Sequence, residues 1–363
     1  MIGYLEIKGS LVIELLYEIS IHTLVIEQPE NYYKIESKVL MIARGIRNIV
    51  KAVLQTEGQG VSIQRSIGLK TSKMFNPFLL LDHFKSNTNS GFPEHPHKGQ
   101  ETITVLLKGA IAHEDFTGNK GMLYPGDVQC MTAGRGIVHS EMLIPKNDEQ
   151  VMGLQLWVDL PQDFKEVEPS YRCFREWEIP EAIEQDGGLK VKVISGKAYG
   201  IESNHQLAYN PIEYYLFSLK PGTKFQQQVN QKYSYFLYVI EGSKLRIGEA
   251  ELSRYDNAFF NDDVDDGNTI TGENIGDDDI LFALVGGAKI NQKILHYGPF
   301  VGTTNEYLQL AINEYNTSTA SFSNRKSWKT MISNGVTDDM INGPLQGSLS
   351  DREQAKQDYL AKK

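Results

Sequence analysis

Cysteine is scarce in this sequence, whose 363 residues include only Cys130 and Cys173. Two cysteines so far apart provide neither a framework of disulfides nor the paired Cys-x-x-Cys ligands of a zinc ribbon. Proteins that do without disulfides are typical of reducing compartments. We therefore expect the chain to work in the cytoplasm, in the nucleus or in both.

The sequence also lacks long apolar runs and an excess of basic residues. No apolar run reaches the ~20 residues that a membrane helix requires, so a membrane partner is not expected. The formal net charge is −10 at pH 7, from 36 basic and 46 acidic residues. Because nucleic-acid-binding surfaces are basic, direct binding to DNA or RNA is not expected, whereas a basic partner protein suits this charge. His-Glu-x-x-His, Gly-x-Ser-x-Gly and phosphate-binding glycine-loop motifs are absent as well.

The chain consists mainly of short strand-like segments. Runs rich in Val, Ile, Leu and Tyr alternate with Gly, Pro, Asn and Asp, a pattern typical of a β-barrel or a two-sheet sandwich. The best helical pattern is Thr304–Tyr315, where Thr303 and Glu306 have the spacing of a capping box. These features predict an all-β fold with a short C-terminal helix. The main predicted strands are Thr102–Leu107, Met152–Val158, Lys190–Ile194, Tyr214–Leu219, Tyr233–Ile240 and Ile280–Val285.

A weak internal repeat divides these strands into two halves. Glu101–Gly109 and Ser234–Gly242 both read as a strand that ends in a charged residue and a glycine. Pro169 and Pro180 interrupt the pattern between the two halves. We predict four regions: an N-terminal extension of unknown role (1–46), a first barrel (47–168), a second barrel (184–316) and a polar, loosely ordered tail (329–363).

The start of the chain permits two interpretations. Met41–Lys51 is basic and free of acidic residues, as transit segments are, but its apolar residues also suit a first β-strand. We favour the strand. Whether Met1–Leu40 belongs to the mature protein is left open.

Four of the eight histidines fall within Phe84–Ser140. His95 and His97 are two positions apart, as are His139 and Glu141. Residues i and i+2 of a strand point to the same side, so two antiparallel strands would direct three imidazoles and a carboxylate to one point. This donor set suits iron, manganese, nickel, copper or zinc. The alternative is that these histidines are incidental surface or hydrogen-bonded residues.

The motifs around these residues resemble those of the pirin family. The similarity extends from about Arg47 to Trp328, and its most specific parts are His95-Pro-His97 and Thr132-Ala-Gly-Arg-Gly136. Pirins are bicupins, so the resemblance implies two cupin-type jelly-roll barrels packed together. Further pirin-like segments are Arg65–Gly68, Phe75–His83, Gly91–Thr102, His113–Phe116, Met131–Met142, Gly153–Trp157, Val193–Gly196 and Tyr297–Phe300.

The resemblance also implies the ligands of one Fe(II) ion in the first barrel. Three histidines and a glutamate of pirins carry over onto His95, His97, His139 and Glu141. Other divalent transition metals would suit the same donors. Ordinary cupins use the glutamate four residues after His-x-His, here Glu101, so this residue remains the alternative carboxylate ligand. If Glu101 is not a ligand, we expect it to orient one of the histidines.

A few positions depart from the usual pirin pattern. His83 stands where an acidic residue is common, Gln100 where an aromatic is common and Cys130 where tryptophan is common. We expect these differences to affect pocket shape and substrate choice more than metal binding. In the second barrel, the repeat aligns Gln228 and Asn230 with the first two histidines, so no metal site is expected there.

The resemblance implies two alternative functions. Several pirins are quercetin 2,3-dioxygenases, which open a flavonol ring with dioxygen and release carbon monoxide, and Glu141 would then be the catalytic base for the flavonol 3-hydroxyl. Other pirins are iron-dependent, redox-sensing nuclear cofactors of transcription factors, without physiological enzyme activity. The same four ligands would serve both. We expect a monomeric non-haem iron dioxygenase of the first kind, and the sequence does not specify its physiological substrate.

Overall fold

The computed structural model describes residues 24–28, 31–35, 41–70, 73–145, 149–263 and 267–363. The chain divides into two compact units, Met1–Ile42 and Ala43–Lys363. The first unit contains one antiparallel hairpin, β1 (Leu24–Gln28) with β2 (Asn31–Ile35). Most of the predicted N-terminal extension lies outside the described residues.

The second unit begins with β3 (Ile46–Lys51) and continues into eleven strands that form the first barrel. These strands make a four-stranded sheet in the order β10-β9-β12-β7 and a seven-stranded sheet in the order β14-β11-β8-β13-β6-β5-β4. Their bounds are β4 Val53–Glu57, β5 Val61–Ile67, β6 Phe78–Ser86, β7 Ser90–His97, β8 Gln100–Lys108, β9 Ala110–Asp115, β10 Lys120–Leu123, β11 Val128–Thr132, β12 Ile137–Ile144, β13 Val151–Asp159 and β14 Ser170–Phe174.

The second barrel has the same two-sheet design. An eight-stranded sheet runs in the order β15-β16-β18-β25-β20-β23-β3, with β17 paired to β16, and a four-stranded sheet runs β19-β24-β21-β22. The bounds are β15 Glu181–Glu184, β16 Leu189–Ala198, β17 Ile201–Ser203, β18 Ile212–Leu219, β19 Lys224–Gln228, β20 Tyr233–Glu241, β21 Leu245–Ile247, β22 Ala250–Leu252, β23 Asp256–Phe260, β24 Thr269–Asn274 and β25 Ile280–Ala288.

The chain ends with a hairpin, three α-helices and connecting segments. These elements are β26 Leu295–Tyr297, β27 Phe300–Gly302, α1 Asn305–Thr317, α2 Asp338–Asn342 and α3 Leu349–Leu360. Short 3₁₀ turns are Gln162–Phe164, Glu176–Glu178, Gln185–Gly187 and Ala320–Lys326. The prediction of an all-β fold with two cupin-type barrels and a short C-terminal helix is confirmed.

The two large sheets pack against each other and join the barrels through one apolar core. Successive side chains of β8 point alternately to the two faces of its sheet, so the strand contributes to both the shared core and the barrel interior. Ile103 and Val105 face this shared core, whereas Thr104 and Leu106 face the interior of the first barrel. The core residues contributed by the second barrel include Ile194, Tyr214, Leu216, Phe236, Tyr238 and Val285.

The interior of the second barrel is filled by its own side chains. The rings of Phe217 and Phe282 stack with their centroids 5.1 Å apart, and Phe225 lies 4.9 Å from the second of these. Tyr215 and Tyr235 are fully buried beside them. This barrel therefore provides a packed body rather than a cavity at its centre.

The strand β3 belongs to the large sheet of the second barrel, although it directly precedes β4 of the first barrel. It pairs with β23 of the second barrel, so the predicted boundary at residue 47, which assigned this strand to the first barrel, is wrong. Just before it, the buried guanidinium of Arg44 donates hydrogen bonds to the carbonyl oxygens of Asn230, Tyr233 and Gly267 at 2.9–3.3 Å. Met41–Lys51 thus contains a strand, as favoured from the sequence.

The C-terminal region differs from the sequence prediction in two ways. The helix α1 is capped by Thr304, whose hydroxyl accepts a hydrogen bond from the Tyr307 amide, and not by Thr303. The tail was predicted to be loosely ordered, but it forms α2 and α3 and buries Ile332, Ile341 and Leu345. Within the described part of the chain, no helix combines the length and apolar character needed to cross a membrane.

Arg44→Met tests how β3 is attached. The substitution leaves the buried carbonyl oxygen of Gly267 and the partly buried carbonyl oxygens of Tyr233 and Asn230 without their donor. Since a buried acceptor without a partner is unfavourable by about 1–3 kcal/mol and a partly buried one by less, we expect a loss of about 3 kcal/mol in the free energy of unfolding. Arg47→Met, on the same strand, removes only an exposed ion pair of 3.5 Å with Asp262 and should change stability by less than about 0.5 kcal/mol. Urea unfolding of both variants provides the measurement. Equal effects would contradict the proposed attachment.

Candidate metal centre

The predicted histidines meet because β7 and β12 are antiparallel neighbours. Their register places His95 opposite His139 and His97 opposite Ile137. The imidazole centroids of His95 and His139 are 4.3 Å apart, and His97 lies 5.0 Å from each of the other two rings. One candidate nitrogen from each ring lies within 4.8 Å of the others, so the three side chains can hold one metal ion.

A β-bulge places the fourth predicted ligand next to this cluster. Between His139 and Glu141 the register of β12 against β7 shifts by one residue, with the additional residue on β7 near Pro93. Proline is tolerated at a bulge because the ladder is interrupted there. A carboxylate oxygen of Glu141 lies 4.0 Å from Nε2 of His139. The structure thus brings together the four residues predicted from the sequence.

The hydrogen bonds of His95 and His97 leave one nitrogen of each ring available. Nδ1 of His95 is 2.8 Å from the carbonyl oxygen of Pro93, which fixes the proton on Nδ1 and leaves Nε2 for an ion. Nδ1 of His97 is 2.7 Å from the side-chain amide of Gln100. Turning that amide about its terminal bond brings Oε1, which is buried without a partner, onto Nδ1 as the acceptor that a metal-bound imidazole requires.

The environment of His139 fits a metal ion. Both its ring nitrogens are buried without a hydrogen-bond partner among the described residues. Native proteins leave few buried polar atoms unpartnered, so two on one ring call for a ligand. An ion that accepts the lone pair of one nitrogen would satisfy that atom.

Burial determines the charge of the cluster. It lowers the pKa of His95 and holds the pKa of His97 and of His139 well below the usual value, with further lowering by neighbouring histidines. The rings are therefore neutral at physiological pH, which is the form that binds metals. Burial raises the pKa of Glu141 to about 7, so without a cation this carboxyl is close to its midpoint.

A cavity of about 420 Å³ opens beside the cluster. Trp157 forms part of its wall and meets the ring of His97 edge-on at 5.0 Å. Arg65 lies in the wall as well and donates two hydrogen bonds of 2.7 Å to the carboxylate of Asp82. The apolar part of the wall consists of Ile63, Phe84, Phe92, Ile111, Leu143 and Trp157.

Glu101 does not have the role considered for it. Its carboxylate accepts hydrogen bonds from the Thr132 hydroxyl at 2.6 Å and the Tyr209 amide at 2.8 Å, and Arg172 lies at 3.3 Å. These contacts lie on the outer side of β8, which faces the second barrel. The residue that touches a histidine is Gln100, which sequence reasoning regarded only as a departure from the family. Every second residue of a strand points to the same side, so Gln100 faces the barrel interior as Thr104 does. This alternation is the sequence signal that could have identified Gln100.

The other two departures lie away from the cavity. His83 is buried with Nδ1 3.2 Å from the hydroxyl of Tyr238, a residue of the second barrel. Cys130 is fully buried in the core shared by the barrels, and burial raises the pKa of its thiol. The expectation that these two residues shape the pocket is wrong, since neither lines it.

Gln100→Leu tests the contact with His97. Loss of the acceptor for the ring N–H should weaken the binding of Co²⁺, used as a probe ion, by about 10–100-fold. Gln100→Glu supplies a carboxylate acceptor and should bind at least as tightly as the wild type. Competition with a chromophoric chelator measures both. Gln129→Leu removes another buried amide, 3.6 Å from the Cys173 sulfur, and should leave affinity unchanged. Similar weakening by both leucine variants would show that the contact is not specific.

Glu141→Gln tests the burial of the carboxyl in metal-free protein. The folded-state pKa of about 7 lies above the usual 4.5, so wild-type stability is complete below pH 4.5 and falls as the pH rises through 7. Glutamine cannot ionise, so the variant should exceed the wild type by about 3 kcal/mol above pH 8 and match it near pH 4.5. Unfolding in the presence of EDTA at several pH values measures the difference. A difference that does not change with pH would refute the assignment.

Known protein families match most of the second unit. The Pirin family profile matches residues 60–158, and the Pirin C-terminal cupin domain profile matches residues 214–321. Pirin of Homo sapiens is 40% identical over 281 residues, which make up 77% of this chain and 95% of that protein. Pirin-like protein 2 of Arabidopsis thaliana is 35% identical over 297 residues, 80% of this chain and 89% of that protein.

Solved structures have the same two-barrel architecture. A quercetin 2,3-dioxygenase from Acinetobacter baumannii superposes with a TM-score of 0.69 at 26% identity and covers 76% of this chain and 98% of its own. A protein of Geobacillus kaustophilus superposes with a TM-score of 0.59 at 30% identity, covering 70% of this chain and 99% of its own. The identity to pirins over nearly their whole length, together with the two matched domains, shows that this chain belongs to the pirin family.

Proposed function

We propose that this chain is an iron(II)-dependent oxidoreductase of the quercetin 2,3-dioxygenase type. It would open the central ring of a flavonol, place both atoms of dioxygen in the ring-opened ester and release the hydroxyl-bearing carbon as carbon monoxide. The observation that carries this proposal is a cluster of three neutral histidines beside a largely apolar cavity. Similarity to a quercetin 2,3-dioxygenase of known structure supports it.

The proposed ligands are His95, His97, His139 and Glu141. Neutral imidazole with one carboxylate suits iron among the divalent transition metals. When bound, iron would supply a Lewis acid and a route for electrons between the flavonol and dioxygen. The ligand side chains would hold the ion because their orientations are fixed. The strand register fixes them, together with the hydrogen bonds of His95 to Pro93 and of His97 to Gln100.

Glu141 is the proposed catalytic base. Burial raises its pKa to about 7 in the metal-free protein, and a bound cation would lower that pKa, so in the loaded site Glu141 would be the ionised carboxylate that a general base must be. A flavonol hydroxyl directed at the histidine cluster would lie next to the Glu141 carboxylate. The carboxylate would then accept the hydroxyl proton.

The cavity supports an enzyme more than a regulator. A volume of about 420 Å³ falls within the range of small-molecule pockets, which run from about 300 to 1,000 Å³. Aromatic side chains such as Phe92 and Trp157 offer flat surfaces to the rings of a flavonol and keep bulk water from the reacting atoms. The alternative function is an iron-dependent, redox-sensing nuclear cofactor. A cofactor of this kind would need no substrate cavity, so the cavity favours the enzyme.

The test is anaerobic reconstitution with ferrous iron, followed by addition of quercetin and then dioxygen. We expect flavonol loss with release of an equal amount of carbon monoxide. Glu141→Ala and His97→Ala should each lower turnover by at least about 100-fold, because one removes the base and the other a ligand. His296→Ala, which removes an exposed histidine, should turn over like the wild type.

The possible failures have different meanings. Tight binding of one iron ion without loss of flavonol would refute the dioxygenase and favour the iron-dependent transcription cofactor. Failure of the wild type to bind iron would refute both functions. Turnover that survives in Glu141→Ala would leave the dioxygenase in place and remove Glu141 as its base.

A further inference from the structure

The outer face of the sheet that carries the histidines is covered by the chain's own C-terminal segment. We call residues 329–347 the back segment. Its buried residues Ile332, Ile341 and Leu345 pack against apolar side chains on β9, on β10 and the residue after it, and on β12. These partners are Ala110, Ala112, Met122, Tyr124 and Met142. The back segment follows the matched family domains, the second of which ends at residue 321.

One residue of the back segment touches both ligand strands. Oγ of Ser333 is 2.9 Å from Oγ of Ser140 and donates a hydrogen bond of 3.1 Å to the carboxylate of Glu94. Ser140 lies between His139 and Glu141 in β12, and Glu94 directly precedes His95 in β7. Because side chains alternate along a strand, Ser140 points away from the cavity while its neighbours point toward it. Ser333 therefore connects the two ligand strands from behind.

This connection lies where the strands are held least well by their own ladder. The β7–β12 register shifts between His139 and Glu141, and a bulge leaves a residue unpaired at that point. The distance between His95 and His139 thus depends on more than backbone hydrogen bonds. A buried hydroxyl that contacts both strands restricts how far they can move apart.

The back segment is anchored at both ends. At its start, the amide of Met331 donates to the carboxylate of Glu114 on β9. At its end, the hydroxyl of Tyr124 donates to the carbonyl oxygen of Gly347. Beyond it, Arg352 on α3 donates two hydrogen bonds, of 2.7 and 2.8 Å, to the fully buried carboxylate of Asp127. These contacts hold Ser333 in place against the sheet.

We propose that Ser333 is a positioning residue of the metal centre, and that docking of the back segment and binding of the metal stabilise each other. The inference rests on the proposed metal site but not on the identity of the substrate. Two binding events on opposite faces of one sheet are coupled when both favour the same strand spacing. Such coupling is reciprocal. Bound metal should therefore stabilise the docked back segment by the same free energy by which the docked back segment strengthens metal binding.

The first arm of the test measures metal affinity in the full chain. We expect Ser333→Ala to bind Co²⁺ about tenfold more weakly, within the usual range of coupling between sites, and to change the EPR spectrum of the bound ion. Ser333→Thr keeps the hydroxyl and should bind like the wild type. Ser350→Ala, which removes an exposed serine hydroxyl of the tail, is the control and should also bind like the wild type.

The second arm uses wild-type protein alone, so it does not depend on whether a variant folds. Hydrogen exchange of residues 329–347 should slow when Co²⁺ is added, whereas exchange in β21 and β22 of the second barrel should not change. Co²⁺ binding that leaves both the exchange of the back segment and the affinity of Ser333→Ala unchanged would overturn the inference while leaving the proposed metal site intact. If the wild type binds no Co²⁺, the metal site fails and the inference fails with it.

Discussion

The pairing of β7 with β12 determines where three imidazole rings are buried, and the rest of the first barrel is built around that constraint. Antiparallel register brings His95 across from His139, and the two-residue period turns His97 to the same side. A buried polar atom without a partner is unfavourable by about 1–3 kcal/mol, and His139 has two of them. Binding of a cation relieves part of this unfavourable energy, so the site is arranged for metal before any metal binds.

The ligand strands are supported from two sides by different parts of the chain. Inside the barrel, Gln100 and Trp157 reach the ring of His97 from β8 and β13, central strands of the seven-stranded sheet. The opposite face of that sheet packs on the second barrel, whose interior is filled with aromatic rings. Because packed interiors deform little, the second barrel can fix the position of groups that it does not touch.

Local patterns predicted which histidines come together, but the resemblance to pirins was needed to prefer a metal site over incidental histidines, and neither predicted the surroundings of the cluster. The two pairs at i and i+2 identify the strands and their common direction, which needs no knowledge of the fold. Glu101 was considered as the alternative ligand, or as a residue that orients one, because of a cupin motif, whereas alternation from Thr104 places its side chain on the opposite side of β8. The strand β3 was assigned to the wrong barrel because its partner, β23, is about two hundred residues away in sequence, and strand composition does not specify a distant partner.

The tail shows a different limit of sequence reasoning. Its composition is polar, and a polar composition normally indicates disorder. Ile332, Ile341 and Leu345 are few and widely spaced, yet a surface already present on the barrel accepts all three. A segment of this kind needs no core of its own, because it completes the core of another element. The pattern that would reveal it lies in the apolar outward face of β9, β10 and β12, not in the tail.

The charges around the cavity limit the kind of molecule that can reach the histidines. Arg65 is the cationic side chain of the wall, and it is already neutralised by Asp82 at 2.7 Å and Glu57 at 3.2 Å. Glu141 adds a further carboxyl group to the same wall. Among the described residues of the wall, a phosphate or carboxylate ligand would meet no unpaired cation, whereas the proposed flavonol could stack on the apolar side chains and donate its proton to Glu141. The lining of the wall therefore supports the proposed flavonol substrate better than it would support an anionic metabolite.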